Sequence, residues 1–145
     1  MEVKEPEYTL EEQKTYFEIL KDFKDTFIKN PELRAVMHNG SCQYKTLDGR
    51  KCAVGKYIPE EKYNAEIEGV DCTKLPSRFM EMLPVSNVKF WHEVQLLHDG
   101  YHITENGSRL RADYWLHGDF TGRGKEKFNN LVNKYCRSFA LELEI

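Results

Sequence analysis

The residues with the richest chemistry in this chain are four cysteines and five histidines. The cysteines stand at 42, 52, 72 and 136, and no two have the CxxC spacing of a zinc or redox pair. Cys42 and Cys52 fall on the two arms of a hairpin expected around Asp48-Gly49. A three-residue Leu47-Asp48-Gly49 loop, with Gly49 left-handed, puts Cys42, Tyr44, Cys52 and Val54 on one face. Tyr44 then sits opposite Cys52, and Cys42 opposite Val54. Diagonal Cβ atoms lie about 7–8 Å apart or somewhat less. A disulfide wants about 3.8 Å, so this pair is poorly placed for one. A metal is more easily reached, with His98 as a third ligand beside Cys42 and Cys52, and a reactive thiol at Cys52 is a further use. The simpler reading makes both cysteines small buried hydrophobes, and on it no metal and no cofactor are expected.

Among the histidines, His98 and His102 have the i, i+4 spacing of helical metal ligands, but Gly100 ends the helix between them. His98-Asp99 resembles the dipeptide of metal-dependent phosphohydrolases without their spaced partner histidines. The alternative is a helix-end histidine interacting with the helix dipole. Gly122-Arg123-Gly124-Lys125 precedes the expected last helix and offers backbone donors and cations to an anion. It lacks the interval of a Walker loop and reads equally as a basic turn. No Ser-His-Asp order with a nucleophile elbow is present, so no catalytic residue is assigned.

The elements that must position these residues follow from periodicity. Thr9 and Glu12 form a capping box. Leu10, Phe17, Leu20, Phe23 and Phe27 then mark an amphipathic helix over about residues 10–29, ended by Asn30-Pro31. Short helical pieces are expected at about 32–38, after Pro59, and over Leu75 to Leu83. Ser86 caps the next helix, Phe90, Val94 and Leu97 form its stripe, and Gly100 stops it. Asn106-Gly107 lies between two alternating runs and reads as a two-residue turn. In that register Ile103 faces Leu110 and Tyr101 faces Ala112, while His102, Thr104, Arg109 and Arg111 share the other face. Tyr114-Trp115-Leu116 either extends this hairpin or begins a helix. A last helix starts near Lys125, with Phe128, Leu131, Val132, Tyr135 and Phe139 inward. The expected class is α+β, helices packed on one or two small antiparallel hairpins. It forms one domain over 1–145, frayed at 1–8 and insertion-like at 101–124.

Composition supports a globular chain. It has 145 residues, 40% of them apolar, and a net charge of −3. Residues 105–137 carry seven basic and four acidic side chains, against eleven and fourteen in residues 1–70. That basic excess is too slight for a nucleic-acid domain. No apolar run approaches the roughly 20 residues needed to cross a bilayer. The acidic start, without an apolar segment, is not a secretory signal, and a cytoplasmic setting is expected.

One stretch carries a pattern: Cys42-Gln43-Tyr44, Gly49-Arg50-Lys51-Cys52-Ala53-Val54-Gly55, Ile58-Pro59, Tyr63, Glu68-Gly69, and Leu96-Leu97-His98-Asp99. Over residues 40–100 the chain resembles a family of small uncharacterised proteins of bacteria and their phages. Gln95 stands three residues before His98, where the family pattern has it two before. The resemblance implies a cytosolic phage or prophage accessory protein, in the host cytoplasm if phage-encoded. It brings no catalytic role. The leading expectation is a protein that binds a host protein with an acidic surface and modulates or inhibits it, as an anti-defence factor does. Arg109, Arg111, Arg123 and Lys125 would make the contact, with Tyr114 and Trp115 as aromatic anchors or as core. One alternative is a sponge for a phosphorylated small molecule or nucleotide signal. Another is a cysteine- or metal-dependent enzyme.

Overall fold

A computed structural model describes residues 8–35, 43–68, 70 and 72–145. Helices pack on one another and against two small antiparallel two-stranded sheets, an α+β arrangement.

Helix α1 spans Leu10–Phe23 and opens with the capping box: Glu12 N donates to Thr9 Oγ1 at 3.1 Å and Thr9 N to Glu12 Oε1 at 2.9 Å. Its buried face is Gln13, Tyr16, Ile19, Leu20 and Phe23. Leu10, expected inside, is 65% exposed, because the first turn reaches past the edge of the core. A π-helical turn, Lys24–Ile28, extends the helix almost to Asn30 and turns Phe27 into the core beside Phe23.

Helix α2, Ser77–Met80, is a single turn within the expected 75–83 segment. Helix α3, Val88–Asp99, buries Phe90, Val94 and Leu97 as its spacing predicts, together with Trp91. Its cap is Asn87 rather than Ser86, since the Asn87 side chain accepts from Phe90 N. The Asn87 amide also donates to the hydroxyls of Tyr8 and Tyr16. Tyr8, expected to fray, is therefore pinned, with its ring 4.9 Å from that of Tyr16. Residues 1–7 lie outside the described residues. Helix α4, Gly122–Cys136, buries Phe128, Leu131, Val132 and Tyr135, and a short α5, Ala140–Leu143, follows. It starts three residues before the expected Lys125, because Thr121 caps it by accepting from Gly124 N at 3.0 Å. Rings of Tyr16, Phe90 and Tyr135 meet within 5.1 Å where α1, α3 and α4 converge.

Two three-residue loops share one construction. In the first, Thr46 N donates to Arg50 O, Gly49 takes φ +87°, and Lys45 bridges Lys51. This is the expected loop and register. The ladder ends there, however, because the chain turns at Ala53-Val54 into a 3₁₀ turn at Gly55–Tyr57. The Cys42–Val54 pairing involves a residue outside the described ones, and Val54 is not in a strand. In the second, strands β1, Tyr101–Ile103, and β2, Arg109–Arg111, pair Tyr101 with Arg111, His102 with Leu110 and Ile103 with Arg109. This is one residue off the expected register. The loop is Glu105-Asn106-Gly107, with Gly107 at φ +83°, not a two-residue turn. The cause is local. Thr104 Oγ1 bonds Asn106 Oδ1 and accepts from Ser108 N at 3.0 Å, as Thr46 Oγ1 bonds Asp48 Oδ1 and accepts from Arg50 N at 2.9 Å. The shift puts Arg109 and Arg111 on the face of Tyr101 and Ile103, and leaves His102 with Leu110 on the other. Residues after β2 neither extend it nor begin a helix. Strands β3, Trp115–Leu116, and β4, Asp119–Phe120, close around His117-Gly118, both at positive φ.

The first loop is braced from outside. Glu60 accepts from Lys45 and Lys51, one lysine from each arm of the hairpin. Bonds from these two lysines hold its carboxyl down to about 2 from an ordinary value of 4.5. A lowered folded-state value stabilises the fold above about pH 4.5, and that contribution is lost as pH falls through about 2. The stability difference between wild type and Glu60→Gln is therefore expected to shrink steadily between those pH values, read from urea midpoints.

Candidate functional site

Three groups of residues could serve function: the turn around Cys52, the end of α3 at His98, and the basic surface of the β1–β2 hairpin.

The turn around Cys52 is held by one close approach. A Cβ at Gly55 would lie 2.1 Å from Tyr44 O, so only glycine fits against that carbonyl. Tyr44 is fully buried, and its hydroxyl donates to Val70 O. Both carboxylate oxygens of Glu68 receive backbone donors, from Tyr44 N at 2.8 Å and Lys45 N at 3.0 Å, and the Tyr63 hydroxyl adds a third. Cys52 is fully buried, and its Sγ accepts from Gly55 N at 3.2 Å. The patterned residues Tyr44, Cys52, Ala53, Val54, Gly55, Ile58, Tyr63 and Glu68 thus build one knot of packed side chains and satisfied backbone groups. Cys42 lies outside the described residues. Cys72 and Cys136 are buried, and burial pushes the Cys136 thiol up to about 12, against forming a thiolate. Among the described residues, no group of three or more His, Cys, Asp or Glu side chains comes together to hold a metal ion.

At the end of α3, His98 is fully buried. Its Nδ1 lies 2.7 Å from Asp99 Oδ1, which also accepts from Gln95 Nε2 at 2.9 Å. Gln95 reaches Asp99 because the two are four apart on one helix face. The ring of Phe27 meets that of His98 edge to face at 4.8 Å. Arg34 Nη1 donates to His98 O at 2.7 Å, and its guanidinium lies 4.1 Å from the centre of the Trp115 ring. Trp115 Nε1 donates to Leu97 O. His98 stands in the last turn of α3, as the helix-end reading had it, and is buried there. It sits inside a clasp in which Arg34 and Trp115 close the C-terminal end of α3. Nothing local in the sequence signals Arg34, which stands 64 positions away from His98.

The candidate contact residues divide. Tyr114 is buried and belongs to the core. Trp115 is half-buried beneath Arg34 and meets the Phe120 ring at 4.5 Å with the two planes tilted by 47°. Arg109, Arg111, Arg123 and Lys125 are exposed. Arg109 lies over the Tyr101 ring at 4.2 Å, with its Nη2 3.6 Å from Asp99 Oδ2. Arg111 lies 6.0 Å from the same ring. Arg123 and Lys125 stand in the first turn of α4 rather than in a free loop. Beside these cations the sequence reading missed an apolar component: Ile103, Leu110 and Leu116 are all exposed. The expected register had placed Ile103 and Leu110 together on the inner face and so hid them.

No family model, curated protein or solved structure matches the chain.

Three substitutions separate structural from chemical roles. Gly55→Ala is expected to destabilise by at least about 3 kcal/mol, the upper end for overpacking, because backbone must move. Gly49→Ala, at a positive φ with open space around it, costs about 1–2 kcal/mol. Asp99→Ala leaves His98 and Gln95 buried without their acceptor and costs about 1–3 kcal/mol. Urea denaturation of the three variants checks the ranking, and an unchanged midpoint for Gly55→Ala or Asp99→Ala refutes the roles given.

Proposed function

We propose that this chain is a small phage-type accessory protein that binds an acidic surface of a host bacterial protein and modulates it. The β1–β2 hairpin makes the contact. One observation carries the reading: this hairpin exposes Ile103 and Leu110 on opposite faces, with Arg109 and Arg111 beside them. It joins the body through Ala112 N on Gly100 O and through Arg109 beside Asp99. Ile103, exposed on the same face as two guanidinium groups, with Leu110 exposed on the other, suits a protein partner that grips the hairpin. The residue types that an enzyme of this composition would use are instead taken up in the fold, Cys52 by Gly55 N and His98 by Asp99. No helix among the described residues is long and apolar enough to cross a membrane, so nothing in them competes for a lipid partner as a span.

The test starts with the intact protein as bait in bacterial lysate, followed by purification of the captured protein. Leu110→Ala should weaken that complex roughly tenfold, as for an anchor worth about 1.4 kcal/mol. Arg111→Glu should weaken it further at low salt and flatten its salt dependence. Equal affinity of both variants, with the fold intact by circular dichroism, overturns the assignment.

A further inference from the structure

The two Thr-x-Asx-Gly loops match in backbone form, and their Asx position holds aspartate in the first and asparagine in the second. Asn106 precedes a glycine in a fully exposed turn, and nothing lies within 4 Å of where a Gly107 Cβ would be. The side of the turn at Gly107 is therefore open to water and base, while Gly107 N, the nitrogen that could attack the Asn106 side chain, donates to Thr104 O at 2.9 Å. The amide oxygen that would take up negative charge already has two donors: the Thr104 hydroxyl, and Ser108 N at 3.4 Å. Donors placed on an oxygen that becomes an oxyanion lower the barrier to forming it. The first loop shows the end point, for Asp48 occupies the same position and keeps the same bond to its threonine.

We propose that Asn106 is a self-modification site, converted to aspartate by its own loop. Gly107 N loses its proton to solvent base and attacks Asn106 Cγ. A C–N bond forms, the bond to the side-chain nitrogen breaks, and that nitrogen leaves as ammonia. Water then opens the five-membered imide at either carbonyl, giving an aspartyl or an isoaspartyl linkage. One water enters and one ammonia leaves, with no change of oxidation state. The bond from Gly107 N to Thr104 O must open before base takes the proton, and the reaction accelerates as pH rises because the attacking form is the deprotonated amide. The aspartyl product retains the loop and adds a negative charge to the hairpin that carries Arg109 and Arg111. The effect of that charge on binding rests on the function proposed above, whereas the conversion does not.

The experiment ages the intact folded protein at 37 °C at neutral and mildly alkaline pH, then maps peptides by mass spectrometry. Exchange of ammonia for water at Asn106, faster at the higher pH, is the expected result. Asn39-Gly40 is the other such dipeptide and lies outside the described residues, so its peptide is scored separately. Thr104→Val removes one oxyanion donor and should slow conversion at Asn106. No conversion at Asn106 in the folded protein, conversion only after unfolding in urea, or an equal or faster rate in Thr104→Val would each overturn the proposal. Asn106→Asp serves as the aged form and should keep the wild-type melting temperature; a clear loss would show that the second loop does not accept the residue the first one holds. Weaker capture of an acidic partner by Asn106→Asp bears on the function alone.

Discussion

The contact between Gly55 and the carbonyl of Tyr44 sets the geometry on which the middle of the molecule depends. Residues 43–68 form almost no regular secondary structure, only a single β-bridge and a series of one-turn helices. Such a segment cannot satisfy its backbone groups through ladders and must do so individually. The close approach fixes the distance between the two arms. The Glu68 carboxylate can then take two adjacent backbone donors, and the Cys52 sulfur can take a third. A side chain of any size at residue 55 would separate these partners. The surrounding residues, Tyr44, Val54 and Ile58, supply the apolar burial that keeps the knot dry.

This explains why Cys52, Ala53, Val54 and Gly55, the centre of the pattern, are all buried. A cysteine between basic residues and small apolar ones invites a chemical reading. Its physical role here is that of a compact acceptor for an amide that no ladder can reach. The same holds at the end of α3, where a histidine, a carboxylate and an amide are closed over by an arginine stacked on tryptophan. Both assemblies bury polar groups, and at the end of α3 Arg34 Nε, Gln95 Oε1 and His98 Nε2 find no hydrogen-bond partner among the described residues. The later hairpin carries the side chains proposed to meet another molecule.

The parts legible in the sequence are those fixed by neighbours a few residues apart. Thr9 with Glu12 marked the start of α1, Gly100 the end of α3, and the stripes of α3 and α4 emerged from their period. The Leu47-Asp48-Gly49 loop was legible because only one loop length built an apolar face. In the second hairpin the same reasoning misled, because the two-residue loop also built an apolar face, Ile103 opposite Leu110 and Tyr101 opposite Ala112, in agreement with the Asn-Gly signal. The informative residue was Thr104, whose hydroxyl ties the Asx side chain and Ser108 N and so selects the longer loop. The β3–β4 hairpin was illegible because two-residue strands show no alternation. Arg34 and Glu68 were missed as partners because they act over 64 and 24 positions. Such contacts depend on topology, which pattern reading reaches only indirectly.

The pairing of α1 with the end of the chain has a consequence for synthesis. Tyr16 packs on Tyr135, Phe17 on Phe139 and Phe23 on Phe128, and Gln13 Oε1 accepts from Ser138 N. Lys24 reaches Leu143 O across 119 positions. Helix α1 is translated more than 100 residues before these partners and waits for them. At about 5–20 residues per second, that interval lasts several seconds to tens of seconds. Throughout it, Tyr16, Phe17 and Phe23 lack these later partners, although Tyr16 can meet Phe90 and Phe23 can meet Phe27 sooner. The nascent chain is then a substrate for holding chaperones, and closure of this part of the core is timed by translation of residues 128–143 rather than by the rate at which α1 itself forms.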